Sequence, residues 1–114
     1  LAALLSQAQD PTIKKRTQKQ FERLWENKKT TRRLEISFRH GYAMITDWTG
    51  RFQKPESGDI YKAFLKNGKL IMPEETDHHA PYGEIIFKNN RLIYLSKPML
   101  PQTWNKEVFT RKRR

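Results

Sequence analysis

Residues 10–29, DPTIKKRTQKQFERLWENKK, decide how the rest of the chain is read. Asp10 suits an N-cap, and Pro11 suits the first helical position, where a missing N–H costs nothing. On a helical wheel Ile13, Thr17, Phe21, Leu24 and Trp25 share one side, the apolar stripe of an amphipathic helix. Arg16, Lys19 and Arg23 line the far side, with Lys15 beside them. Spacings of three and four put these cations in one row, a like-charge arrangement that Glu22 and Glu26 only partly relieve. The pattern predicts a basic helix that fades near residues 27–29 and lays its stripe on a sheet built from the rest of the chain.

From Arg33 the period changes to two. Leu34, Ile36 and Phe38 alternate with Glu35, Ser37 and Arg39, then His40-Gly41 turns the chain into a returning strand from Tyr42 to Trp48. Residues 60–66 admit two readings. Asp59 can cap a short helix over 59–66 closed by Asn67-Gly68, or Asn67-Gly68 is a hairpin turn leading into residues 70–72. The shared helical face of Ile60, Ala63 and Phe64 favours the helix. Glu84–Lys88 and Arg91–Ser96, joined by Asn89-Asn90, read as a hairpin whose turn residues tolerate positive φ. Pro98 and Pro101 interrupt pairing, and Trp104 with Val108 suggests one helical turn before the final Arg111-Lys112-Arg113-Arg114. The expected fold class is α+β, a basic N-terminal helix packed on an antiparallel sheet of about four to five strands. Residues 1–9 read as the end of a preceding helix or a linker, 10–104 as one domain and 105–114 as a basic tail. The first residue is not Met, so the chain reads as a fragment or a processed product.

Composition narrows the chemistry. There is no cysteine among the 114 residues, which excludes disulfides, thiolate zinc sites and cysteine nucleophiles. No apolar run is long enough for a membrane span, so the expected location is cytoplasmic, nuclear or nucleoid, with no membrane partner. The net charge is +11, and it is uneven. Residues 11–33 hold nine Lys/Arg against Glu22 and Glu26, and residues 105–114 hold five against Glu107, while 34–104 is nearly neutral. Positive ends on a neutral body form an electrostatic footprint for a polyanion.

The expected function is therefore nucleic-acid binding, RNA or DNA, through phosphate contacts from Lys15, Arg16, Lys19, Arg23, Lys28, Lys29, Arg32, Arg33, Arg39 and Arg51. Arg111, Lys112, Arg113 and Arg114 are expected to add to them from the tail. Exposed aromatics are candidate stacking platforms. Tyr42, Met44 and Trp48 share one strand face by parity, which is exposed only if Ala43 and Ile45 face the core. A second reading is a small metal-independent ribonuclease, with His78, His79 and Glu75 of PEETDHHAPYGE (73–84) as acid–base groups and Arg39, Arg51, Lys88 or Arg91 as anion stabilisers. A third is a basic component of a larger nucleoprotein assembly. No cofactor or metal is expected. Adjacent histidines diverge in extended backbone, and the loop lacks ligand spacing.

Overall fold

The computed structural model describes residues 13–78, 80–97 and 104–113, and it overturns the α+β expectation. The fold is a closed eight-stranded antiparallel barrel in simple up-and-down order, preceded, among the described residues, by one short α-helix. The helix α1 spans Lys15–Phe21. The strands are β1 (Arg23–Asn27), β2 (Arg32–Arg39), β3 (Tyr42–Thr49), β4 (Asp59–Lys66), β5 (Lys69–Met72), β6 (Gly83–Lys88), β7 (Arg91–Ser96) and β8 (Asn105–Arg111). Pairing of β1 with β8, through Trp25↔Arg111 and Glu26↔Thr110, closes the ring.

Three expected elements change identity. The long helix stops at Phe21, because Glu22 is extended and Arg23 takes a φ of 81°, a left-handed kink that re-aims the chain into β1. Leu24 and Trp25 are therefore strand residues, and the expected cap at Asp10 and Pro11 lies outside the described residues. Residues 59–66 form β4, and Asn67-Gly68, with φ of 52° and 78°, is the hairpin turn that the alternative reading named. The helical turn expected around Trp104 and Val108 is strand: residues 105–111, expected in the tail, are β8. The β2–β3 and β6–β7 hairpins form as the sequence pattern indicates, with Gly41 at φ 88° and Asn89 and Asn90 at 53° and 62°.

Alternation explains how the wall buries its core. Leu34 and Ile36 of β2, Ala43 and Ile45 of β3, Ala63 of β4, Leu70 of β5, Ile85 of β6, Leu92 of β7 and Phe109 of β8 all point inward and are fully or almost fully buried. Filling an eight-stranded barrel with side chains makes this interior a packed core. Each large side chain among them contributes on the order of 1.5–3 kcal/mol. Apolar inside and charged outside is the reverse of a membrane-spanning barrel. Trp48 is only 4% exposed although parity puts it on the outer face, because the turn ending at Gly58 packs over it.

The helix closes one end of the barrel. Phe21 inserts into the core against Phe87, and Trp25 meets the same ring edge-on. Seven residues are too few for a stable helix in isolation, and the last turn leaves carbonyls without helical partners. Arg111 supplies those partners: its Nη1 donates to Glu22 O at 3.0 Å, and its Nη2 to Lys19 O and Gln20 O at 3.3 Å. The indole Nε1 of Trp25 donates to Phe21 O at 2.9 Å. The Arg111 guanidinium lies 4.2 Å from the Trp25 ring centre, so one side chain joins α1, β1 and β8. We predict that Arg111→Ala lowers stability in urea denaturation by about 2–3 kcal/mol, and that Arg111→Lys recovers only part of it. A change within about 0.5 kcal/mol for both variants would show that the barrel closes without this clamp.

Candidate functional site

In an up-and-down barrel the connections alternate between the two ends. The turns after β2, β4 and β6 stand at the end covered by α1, and those after β1, β3, β5 and β7 stand at the open mouth. This alternation sorts the charge. The three turns at the capped end, residues 39–42, 66–69 and 88–91, contain Arg39, His40, Lys66, Lys69, Lys88 and Arg91 and no acid. Above them α1 exposes Lys15, Arg16 and Lys19, and exposed Arg23 and Arg113 lie at the same end. The connections at the mouth mix both signs: Glu56, Glu74, Glu75 and Asp77 stand there with Lys28, Lys29, Arg51, Lys54 and Lys97. The near-neutral middle of the sequence is thus an all-cation set of turns at one end averaged with a mixed-charge set at the other.

Two pairings at the capped end work against stability. Lys66 stands directly across from Lys69, and Lys88 across from Arg91. Like charges facing each other across a ladder are destabilising. Lys69 finds partial relief in Glu84 at 3.3 Å, with 43% of its side chain exposed. Outside the rank of turns, the outer wall carries an apolar group. Ala43 and Ile45 face the core, so Tyr42 and Met44 belong to the outer surface beside Phe64 and Ile60, which are 43% and 64% exposed.

Several expected phosphate ligands are already engaged. Arg32 points into the barrel and forks onto Asp47, Nε to Oδ1 at 3.0 Å and Nη2 to Oδ2 at 2.6 Å, while Nη1 bonds Glu107. Tyr61 donates to Asp47 Oδ2 at 2.7 Å, Asn27 to Glu107 Oε2 at 3.0 Å, and the Tyr94 ring lies 4.7 Å from the guanidinium. Arg33 and Lys112 both pair with Glu26, and Arg111 holds α1. Lys28, Lys29 and Arg51 are exposed at the mouth, with Lys54 and Lys106 at the same end, and Arg114 lies outside the described residues. Lys66 and Lys69 were missed by the sequence argument, and Lys88 and Arg91 were assigned only to the nuclease reading. Their signal was a cation flanking every second turn.

The loop of the acid–base reading lies at the mouth. Residues 73–82 connect β5 to β6 at the mouth, where Glu75 and Ala80 exchange backbone hydrogen bonds at 2.9 Å and Thr76–His78 form a 3₁₀ turn. Of the anion stabilisers expected with it, Arg39, Lys88 and Arg91 are at the opposite end, and Arg51 is at the mouth with the loop. His79 lies outside the described residues. Among the described residues no cluster of three His, Asp or Glu side chains is arranged to hold a metal.

The Arg32 network is a brace across the mouth. It joins β1, β2, β3, β4, β7 and β8 where the β1–β8 ladder has stopped, and a groove of about 420 Å³ separates Lys28 and Lys29 from Lys106. Among the described residues no buried side-chain nitrogen or oxygen lacks a partner. Burial acts to lower the pKa of Arg32, but the hydrogen bonds and charge of Asp47, then the charge of Glu107, outweigh it and raise the value further. Burial also pushes the phenols of Tyr61 and Tyr94 upward, with the Tyr94 and Asp47 interactions adding to the Tyr61 shift. Every group is committed to another, so the arrangement stiffens the barrel and holds no free nucleophile or base.

Comparison with protein-family models, with curated proteins and with solved structures finds no match to this chain. No helix among the described residues is long and apolar enough to cross a membrane.

The brace makes two outcomes testable. Asp47→Ala should cost about 2–4 kcal/mol in denaturant unfolding, less than for a fully buried pair because 26% of the Arg32 side chain is exposed; Glu84→Ala on the exposed wall should cost under about 1 kcal/mol. Equal losses would contradict the brace. The raised phenol pKa values favour the folded state below about pH 10, and this contribution disappears as pH rises through the folded-state values, because the unfolded chain ionises first. Phenolate absorbance should show a late-ionising component that shrinks in Tyr61→Phe and in Tyr94→Phe. A titration without it would contradict the burial of these hydroxyls.

Proposed function

We propose that the protein binds nucleic acid through the capped end of the barrel, with α1 and the turns after β2, β4 and β6 neutralising backbone phosphates. The observation that carries this reading is the charge on those turns. Three separate hairpins, distant in sequence, each place cations at one end, and two of them hold like charges face to face at a cost in stability. A solubilising surface would not require that arrangement, whereas a row of phosphates would relieve it. The lysines and arginines there supply positive charge without a fixed direction of approach, so affinity is expected to depend on backbone charge more than on sequence.

This reading keeps Lys15, Arg16, Lys19, Arg23, Arg39 and Arg113 as contacts and adds Lys66, Lys69, Lys88 and Arg91. It releases Arg32, Arg33, Arg111 and Lys112 to structural roles. With about six phosphate contacts, log affinity should fall against log salt with a slope of roughly −4 to −5. The triple variant Lys66→Glu/Lys88→Glu/Arg91→Glu should bind at least tenfold more weakly at low salt and lose about one unit of slope for each phosphate contact removed. Lys28→Glu/Lys29→Glu at the mouth should stay within about twofold of the parent protein under the same conditions. Absence of binding at low salt, a flat salt response, or a larger loss in the mouth variant would sink the proposal.

A further inference from the structure

Across the outer wall four side chains stand in one rank. Arg39 on β2 pairs in register with Tyr42 on β3, the Tyr42 ring lies 6.4 Å from Phe64 on β4, and Phe64 pairs in register with Ile71 on β5. Ala43 and Ala63 are fully buried behind them, so the rank faces outward by the alternation of the strands. Lys62 lies 4.8 Å from the Tyr42 ring centre on the mouth side of this rank, and Lys66 is on the capped-end side. Along β4 the outward residues therefore read Ile60, Lys62, Phe64, Lys66, an alternation of apolar and cationic side chains.

Folding does not account for this composition. The core is complete on the inner face, and Phe64 at 43% exposure and Ile60 at 64% leave much of their apolar surface in solvent. Large apolar side chains grouped on the outside of a highly charged domain mark an interaction surface. The occupant is constrained by its surroundings. A flat row of rings with cations on both sides, continuous with the basic turns, matches a ligand that alternates flat π-faces with negative charges. Single-stranded nucleic acid has that chemistry, because its unpaired bases stack on aromatic side chains while its phosphates meet lysine and arginine. Duplex bases are already stacked on one another and present no free face.

We infer that Tyr42 and Phe64 form a base-stacking platform, and that the protein prefers single-stranded over double-stranded nucleic acid. The inference rests on the phosphate reading of the capped end and adds the substrate class to it. The strand runs from the turns at 66–69 and 39–42 onto the wall of β3 and β4, with Arg39 and Lys66 at the junction between the two surfaces. Exposed Phe52 and the Tyr82–Trp104 pair stand at the mouth, away from the basic turns. Trp48 is covered by the turn at Gly58, Tyr61 and Tyr94 belong to the mouth brace, and Phe87 packs in the core.

The test is a titration of the whole chain with a fluorescent oligothymidylate, an oligouridylate and a self-complementary duplex, each at two salt concentrations, comparing Tyr42→Ala and Phe64→Ala with Tyr42→Phe and Phe64→Tyr. Stacking predicts that each alanine variant binds both single strands about tenfold more weakly, that the duplex changes less than twofold, and that the ring-preserving variants match the parent protein. Thermal denaturation of each variant separates loss of the platform from loss of the fold, and Tyr42→Phe and Phe64→Tyr keep the test informative if an alanine variant unfolds. Full single-strand affinity in both alanine variants, with weakened binding in the triple variant of the basic turns, would overturn the platform and leave the phosphate reading standing. Absence of binding to every probe at low salt would remove both. An equal loss on the duplex would also overturn the inference, as would a parent protein that sediments as a dimer and becomes monomeric in Phe64→Ala, because the patch would then be a self-association surface.

Discussion

One arginine holds the architecture together. Arg111 sits on the Trp25 ring, donates to the last-turn carbonyls of α1, and stands at the two-residue junction where β8 meets β1. Without it the ring would close through a very short ladder, and α1 would end in unpaired carbonyls next to an apolar core. The positive charge of Arg111 also lies at the negative end of the helix dipole, which favours the same geometry. The cap in turn lets Phe21 complete the barrel interior and presents Lys15, Arg16 and Lys19 to solvent. Position, charge and burial of the proposed interface all depend on this junction.

The opposite end is solved differently. There the β1–β8 ladder has run out, and side chains replace it: Arg32 bridges Asp47 and Glu107, with Tyr61, Tyr94 and Asn27 completing the set. The brace uses one cation and two carboxylates, among mouth connections that carry both signs of charge. The turns of the capped end carry only cations, so the positive field is concentrated there more than at the mixed-charge mouth.

Parts of this were legible in the sequence. Period-two alternation with His40-Gly41 and Asn89-Asn90 located two hairpins because both signals are local. Turn chemistry at Asn67-Gly68 was equally visible, but the shared face of Ile60, Ala63 and Phe64 imitated a helix, and tertiary pairing with β3 and β5 decided for strand. The stretch ending in Trp25 misled for a related reason. Phe21, Leu24 and Trp25 satisfy a helical stripe, yet Phe21 is the end of a cap, Trp25 points into a barrel, and the kink at Arg23 between them is not encoded by a glycine. The role of Arg111 was beyond reach, since a cation in a basic run looks the same whether it contacts phosphate or stacks on a tryptophan far away in sequence. Segment charge concealed the basic turns, because successive turns of a barrel lie at opposite ends and averaging over 34–104 mixed them. The conspicuous loop at 73–82 connects β5 to β6 at the mouth, the end opposite the basic turns.

Nuclear magnetic resonance mapping of the amide resonances during titration with a short single-stranded oligonucleotide is the most direct measurement. Binding at the capped end predicts shifts confined to α1, the turns at 39–42, 66–69 and 88–91, and the neighbouring wall of β3 and β4, with the connections at 28–31, 50–58 and 73–82 unmoved. Shifts centred on those mouth connections, or none at any concentration in low salt, would contradict the account.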